Sequence, residues 1–317
     1  MKLIVLIILF PIFSLAQSLD SFPVIDVHLH SYDSAKHFIP GAPMPGNAEE
    51  FSPRSYSDYK QSILEELKNN HVVLAIISGA ISHLNTWQKN EHTRFYYSLH
   101  TGEPGFDIVG EKLDLPKLKQ LIDAGKIKAI GEMTQQYKGR DLSDQAYDDL
   151  YLLADSFQLP VGIHTGAGPK GTALEKGSKF KLQYGNPYLL EDVIIKHPNL
   201  KLYLMHAGLP NYGREAINMM RMYPNLYVDI GAVAWTNKYS QYTLEQFLKE
   251  AAIAGVTDRI LYGSDEMLWP QAISVSIDYI KNASFLTNQQ KKDILYFNAA
   301  RFLNLTEEQI KKDLGLK

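Results

Sequence analysis

The residues of this chain that could do chemistry recur in one setting: a short apolar run that ends in histidine or a carboxylate. The first run is Val24-Ile25-Asp26-Val27-His28-Leu29-His30, with two histidines one residue apart. The others end at Glu132 (after Ile130-Gly131), His164 (after Gly162-Ile163), His206 (after Leu204-Met205) and Asp265 (after Tyr262-Gly263-Ser264). Imidazole nitrogens and carboxylate oxygens together suit a divalent cation, and zinc, iron, nickel and manganese all accept such ligands. In an extended strand residues two apart share a face, so His28 and His30 can point the same way, roughly 6–7 Å apart. One His-x-His pair is a weak signal, because core histidines bonded to backbone are common. Recurrence at five separate strand ends is what carries the inference. The chain has no cysteine, which excludes disulfides and thiolate ligation and leaves a nitrogen–oxygen site of the catalytic kind.

Those ends must be held together by the elements that carry them. Strands are expected at Val24–His28, Val72–Ser78, Phe95–His100, Ile127–Met133, Val161–His164, Leu202–His206, Leu226–Ile230 and Ile260–Gly263. Their continuous apolar character suits a parallel sheet covered on both faces. Helices are expected between them at Tyr56–Asn69, Leu115–Ala124, Ser143–Phe157, Tyr188–Lys196, Arg214–Met222, Leu244–Ala254 and Trp269–Asn282, with a less clear one over Leu84–Arg94. Thr287–Leu303 and Thr306–Leu314 read as closing helices, the second started by Thr306 with Glu308 and Gln309. Eight strand–helix units predict an α/β fold, the (β/α)₈ TIM barrel with C-terminal helices, over a doubly wound open sheet. In such a barrel the carboxyl ends of the strands form one rim, and that rim carries the chemistry. His71 falls on the opposite rim, His83 and His92 flank the unclear helix, His197 sits in a turn and His37 in a Pro/Gly-rich loop spanning His37–Pro53.

Composition sets the frame. Of the 317 residues, 45% are hydrophobic and 21% charged, with a net charge of −3, the profile of a globular chain with no basic face for nucleic acid or anionic lipid. Met1-Lys2, an apolar stretch Leu3–Phe13 and the small residues Ser14 and Ala16 have the three-part form of a signal peptide at 1–16. The expectation is a secreted or periplasmic protein with one domain over 17–317, no stable membrane anchor, and homodimerisation left open.

The ordered set DVHLH, IGEM, GIHTG, LMHAG and LYGSD, with the tail YFNAARFLNL, resembles the metal-dependent amidohydrolase superfamily, in particular its amidohydrolase-2 branch. The resemblance spans nearly all of residues 17–317. It implies His28, His30, His164 and Asp265 as metal ligands, and His206 as a second-metal ligand or catalytic base. Glu132 lies where many binuclear members bridge two cations, which implies a divalent metal, zinc first among the candidates, with one or two per chain. The plainer role for Glu132 is to orient a histidine. Lys128, four residues earlier, lies too deep to serve as a carboxylated bridge. The activity implied is hydrolysis of an ester, lactone, amide or phosphoester by cation-activated water, with Asp265 moving the proton. The alternative is non-oxidative decarboxylation on the same scaffold, and a non-catalytic exported binding protein is a third reading. His100, Arg140, Lys170 and Trp235 are candidate substrate-binding residues. Lys138, Tyr212 and Trp269 also follow strands, and solvated charge or loop packing is the plain alternative for all of these.

Overall fold

Short runs rich in Val, Ile and Leu, too apolar to face water on either side, pair into a parallel sheet. The computed structural model describes residues 18–30, 38–83, 86–87 and 92–316. The expected signal segment, His37 and part of the expected helix at 84–94 lie outside the described residues. Strands β1 (Val24–His30), β4 (Val72–Gly79), β5 (Arg94–Thr101), β6 (Ala129–Met133), β7 (Val161–His164), β8 (Leu202–Met205), β9 (Leu226–Asp229) and β10 (Ile260–Leu261) lie side by side in that order, all parallel. The ring closes through backbone bonds beyond the short β10: Val27 N–H donates to Tyr262 O at 3.0 Å and His30 N–H to Glu266 O at 3.1 Å. Asp265 N–H returns one to His28 O at 2.7 Å. Every residue of β1, β6, β7, β8 and β10 is buried, as a sheet wrapped by helices requires.

The helices α1 (Tyr56–Asn69), α2 (Leu115–Asp123), α3 (Asp148–Phe157), α4 (Glu191–Lys196), α5 (Gly213–Met222), α6 (Lys238–Ala254) and α7 (Gln271–Asn282) connect the strands. Then α8 (Asn288–Lys292) passes through a π-turn at Asp293–Phe297 into α9 (Asn298–Phe302), and α10 (Glu307–Asp313) follows. Thr287 with Gln290, and Thr306 with Gln309, form reciprocal capping boxes that start α8 and α10. Helix α6 begins six residues before the expected Leu244. Asn237 caps it by accepting from Ser240 N–H, and the first turns are too polar to show in an apolar pattern. After β4 the described residues hold only a 3₁₀ turn at Ile81–His83, and Arg94, expected to end a helix, opens β5.

The Pro/Gly-rich stretch expected to be a loop contains an antiparallel hairpin, β2 (Pro43–Met44) and β3 (Asn47–Phe51). Its residues are mostly exposed, so no apolar alternation announced it. At its turn Gly46 has φ +81°, and a Cβ there would come within 2.5 Å of Trp235 O. The hairpin tip therefore rests on the segment between β9 and α6. The Trp269 indole N–H reaches back to donate to Ala42 O at 2.9 Å.

One apolar cluster fills the space between sheet and outer helices, with Ile63 and Leu67 of α1, Leu244 and Leu248 of α6, and Ile273 and Ile277 of α7. A second joins Phe22, Ile25, Val27, Ile76 and Leu261 to Tyr296, Phe297 and Phe302 of the C-terminal segment. Fully burying side chains of this size stabilises by about 1.5–3 kcal/mol each. The Arg94 guanidinium clamps Asp313 of α10 through two bonds of 2.6 and 2.7 Å, which ties the closing helix to the start of β5.

Candidate metal centre

Strand ends bring six side chains to one place. His28 and His30 come from β1, Glu132 from β6 and His164 from β7. His206 follows β8 and Asp265 follows β10. All six are more than nine-tenths buried. Asp265 Oδ1 lies 2.9 Å from His30 Nε2 and 3.2 Å from His28 Nε2. Glu132 lies between two histidine pairs. Its Oε2 is 3.5 Å from His30 Nε2 and 3.9 Å from His28 Nε2, while its Oε1 is 3.4 Å from His206 Nε2 and 4.0 Å from His164 Nε2. The nitrogen and oxygen atoms thus form groups within 4.8 Å: His28–His30–Glu132, His28–His206–Asp265 and Glu132–His164–His206. Neighbouring ligands on a tetrahedral cation with 2.0–2.2 Å bonds stand about 3.3–3.6 Å apart. The spacing observed is close to that.

Partners on the far side of each ring fix which nitrogen faces inward. Asp229 Oδ2 accepts from His28 Nδ1 at 3.0 Å, Gln136 Oε1 from His164 Nδ1 at 2.8 Å, and Gly231 O from His206 Nδ1 at 2.9 Å. Oxygens that can only accept place a proton on each Nδ1 and turn the Nε2 atoms towards Glu132 and Asp265. His28 Nε2 is wholly buried, with Asp265 Oδ1 at 3.2 Å and Glu132 Oε2 at 3.9 Å. A buried ring nitrogen facing two carboxylates fits a cation.

The backbone is shaped to this end. His206 and Asp265 have φ of +64° and +52°, a region that costs most residues free energy. Asp229 Oδ1, which accepts from His206 N–H at 2.9 Å and from Gly231 N–H at 2.9 Å, helps hold one of these turns. Gly231 admits no side chain, because a Cβ there would lie 2.7 Å from His28 Nδ1. Asp26 ties β1 to the last strand by accepting from His28 N–H and Ser264 N–H at 3.0 Å each. Burial pushes its carboxyl up to about 6.

Without a cation the cluster is strongly self-polarised. Burial raises the Glu132 and Asp265 carboxyls, but the surrounding histidines overcome this and hold both well below the usual carboxylate range. For His206 burial works downward, yet its bond to Glu132 and the charge of Asp265 lift it to about 8. Burial and then the field of His206 push His164 down to about 4, and burial pushes His100 down to about 3, so these two imidazoles are uncharged at neutral pH.

Above the cluster opens a cavity of about 1330 Å³. Of the expected substrate-binding residues, His100, Lys170 and Trp235 line it, as do Lys138 and Trp269. Arg140 does not line it and instead pairs with Asp144 at 2.7 Å and Glu103 at 3.4 Å, a nearby acid pair that the sequence reading did not weigh. Tyr212 is also off the wall, with its hydroxyl 3.4 Å from Leu182 O. Lys128, expected deep below the rim on the face of Glu132, is instead exposed and stacks over Tyr96. Four residues that sequence reasoning passed over matter here. Asp229 ends β9 with the same apolar-run-then-acid signal as its neighbours and could have been found. Gln136 and Tyr137 sit in a 3₁₀ turn with no pattern to mark them. His83, read as flanking a helix, is buried in the cavity wall.

A family model described as Amidohydrolase, of the amidohydrolase-2 type, matches residues 25–305. The chain belongs to the amidohydrolase-2 family. Its enzymes are metal-dependent, and a small-molecule substrate follows from membership. Protein fluG of Emericella nidulans is 28% identical over 164 residues, 47% of this chain but only 18% of fluG, so the match spans less than a fifth of that relative. Among solved structures, a probable 2-pyrone-4,6-dicarboxylic acid hydrolase of Acinetobacter baumannii with citric acid bound superposes with a TM-score of 0.59 at 12% identity, covering 90% of this chain and 100% of that one. A 5-carboxyvanillate decarboxylase of Sphingomonas paucimobilis superposes with a TM-score of 0.55 at 13% identity, covering 90% and 100%. At such identities the likeness is one of fold. Among the described residues no helix is long and apolar enough to cross a membrane.

Proposed function

We propose that this amidohydrolase-2 protein is a hydrolase with a two-cation centre, cleaving an ester, lactone, amide or phosphoester bond. The observation that carries the reading is the place of Glu132, whose two oxygens face different histidine pairs. One carboxylate shared by two ligand groups is what a bridge between cations requires. His28, His30 and Asp265 would hold one ion and His164 and His206 the other. When bound, such ions lower the pKa of water towards neutrality and polarise the scissile oxygen. Asp265, ionised and facing the cavity, accepts the proton of the attacking water and returns it to the leaving group. With a single ion, the His206 ring would instead stabilise negative charge developing on the substrate.

The supporting features of the cavity are consistent with a small amphipathic substrate. Trp235 and Trp269, with ring centroids 5.7 Å apart, supply an apolar wall, and His100 and Lys170 supply polar contacts. Export through residues 1–16 belongs to the same proposal, and the N-terminal sequence of the mature protein checks it. The function is tested by assaying the metal-loaded protein on a panel of esters, lactones, amides and phosphoesters, with carbon dioxide release from aromatic acids measured alongside. Hydrolysis lost on chelation, and lost by a factor of 100 or more in Asp265→Asn, is expected. Carbon dioxide release with no hydrolysis would replace the hydrolase reading with the decarboxylase one.

A further inference from the structure

The two ends of the cluster are not equivalent. At the His28–His30 end, among the described residues, every short contact of the inward nitrogens is with Asp265 or Glu132, groups that would themselves be ligands. At the other end Glu132 serves both His164 and His206, while Asp265 reaches only His206. His164 Nε2 is 4.0 Å from Glu132 Oε1 but only 3.4 Å from the phenol oxygen of Tyr137, which is not in the ligand groups.

That contact is built in. Gln136 Nε2 donates to Gly166 O at 2.9 Å and to Lys181 O at 3.2 Å, so its amide must turn the oxygen to His164. The His164 proton therefore sits on Nδ1, and the lone pair on Nε2 is what the Tyr137 hydroxyl meets as donor. The Tyr137 ring is held edge-on between His164, at 4.9 Å, and Phe180, at 5.1 Å. A Cβ on Gly168 would come within 2.9 Å of the phenol oxygen, so that side is closed too. An ion at His164 must take its lone pair from the phenol.

We propose that the two positions fill unequally. An ion enters first at the His28–His30–Asp265 end, where two carboxylates meet two imidazoles. Tyr137 holds back the second by donating to the lone pair it needs. Occupation of the second position then frees the phenol within the cavity it already lines. The inference rests on the two-cation reading and gives it an order.

The test is a cobalt(II) titration of the metal-free full chain, followed by calorimetry and by the visible absorption of the bound ion. Two steps are expected in the wild type, the second at least tenfold weaker. Tyr137→Phe keeps the ring and removes the donor. It should tighten the second step about three- to tenfold, the value of one ordinary hydrogen bond, and leave the first unchanged. His164→Ala should abolish the second step alone. Two wild-type steps with the second unchanged or weaker in Tyr137→Phe would overturn the role of Tyr137 and leave the two-cation reading standing. A single step in both proteins would remove the two-cation reading and this inference with it.

Discussion

Glu132 is the residue on which the chemistry turns, and its surroundings make a prediction about protons. In the metal-free chain His206 is raised to about 8 by its bond to Glu132 and the charge of Asp265, against the pull of burial. A raised imidazole stabilises the folded chain below its ordinary value near 6.5, and that contribution is lost as the pH rises through about 8. A cation needs neutral rings, and, against burial, the carboxylates beside His28 raise that ring as well, so ion uptake at pH 7 should release protons and affinity should climb from pH 7 through about 8. Calorimetry in two buffers of different ionisation enthalpy measures this, and equal heats in both would contradict it. The ligand candidates were legible in the sequence because each ends an apolar run, and a strand end has a defined place on a barrel rim. Asp229 gave the same signal and was passed over. Gln136 and Tyr137 gave none, because what places them is a turn fixed by backbone carbonyls 30 to 46 residues away.

Among the elements, strands were read most closely. A strand buried on both faces leaves an unbroken apolar run, and all eight matched to within two residues at each end. The last strand is shorter than expected as a ladder, although Tyr262 to Glu266 still bond to β1. Helix starts were less legible where a polar first turn hides behind a cap, as at Asn237. The hairpin β2–β3 escaped because both its faces are largely exposed. Its role is spatial: Pro45 borders the cavity and Gly46 seats the tip against Trp235. Gly46→Val cannot keep that seat, since its φ is left-handed and its Cβ would strike Trp235 O. The expected outcome is a raised KM, by tenfold or more, with ion content unchanged, because Trp235 lines the cavity and ligates nothing. Wild-type kinetics in this variant would show that the hairpin does not shape the cavity.

At the scale of the molecule, a barrel closed by eight parallel strands gathers the candidate ligands from residues 28 to 265 into one buried cluster of like and unlike charges. Such a cluster is stable only when its charges are matched, so the ion and the fold support each other. An ion that binds the folded chain alone, present at a hundred times its dissociation constant, stabilises it by about 2.7 kcal/mol. For a chain of this size that should raise Tm by about 4 °C over the chelated protein, and identical melting curves would count against a resident metal. The central claim is that Glu132 bridges two cations. It is tested most directly by metal analysis of wild type and Glu132→Gln after equilibration with excess zinc. Close to two ions per wild-type chain and one or fewer in Glu132→Gln is the predicted result. A wild type that binds no stoichiometric metal, or a Glu132→Gln that keeps the wild-type content, would contradict it.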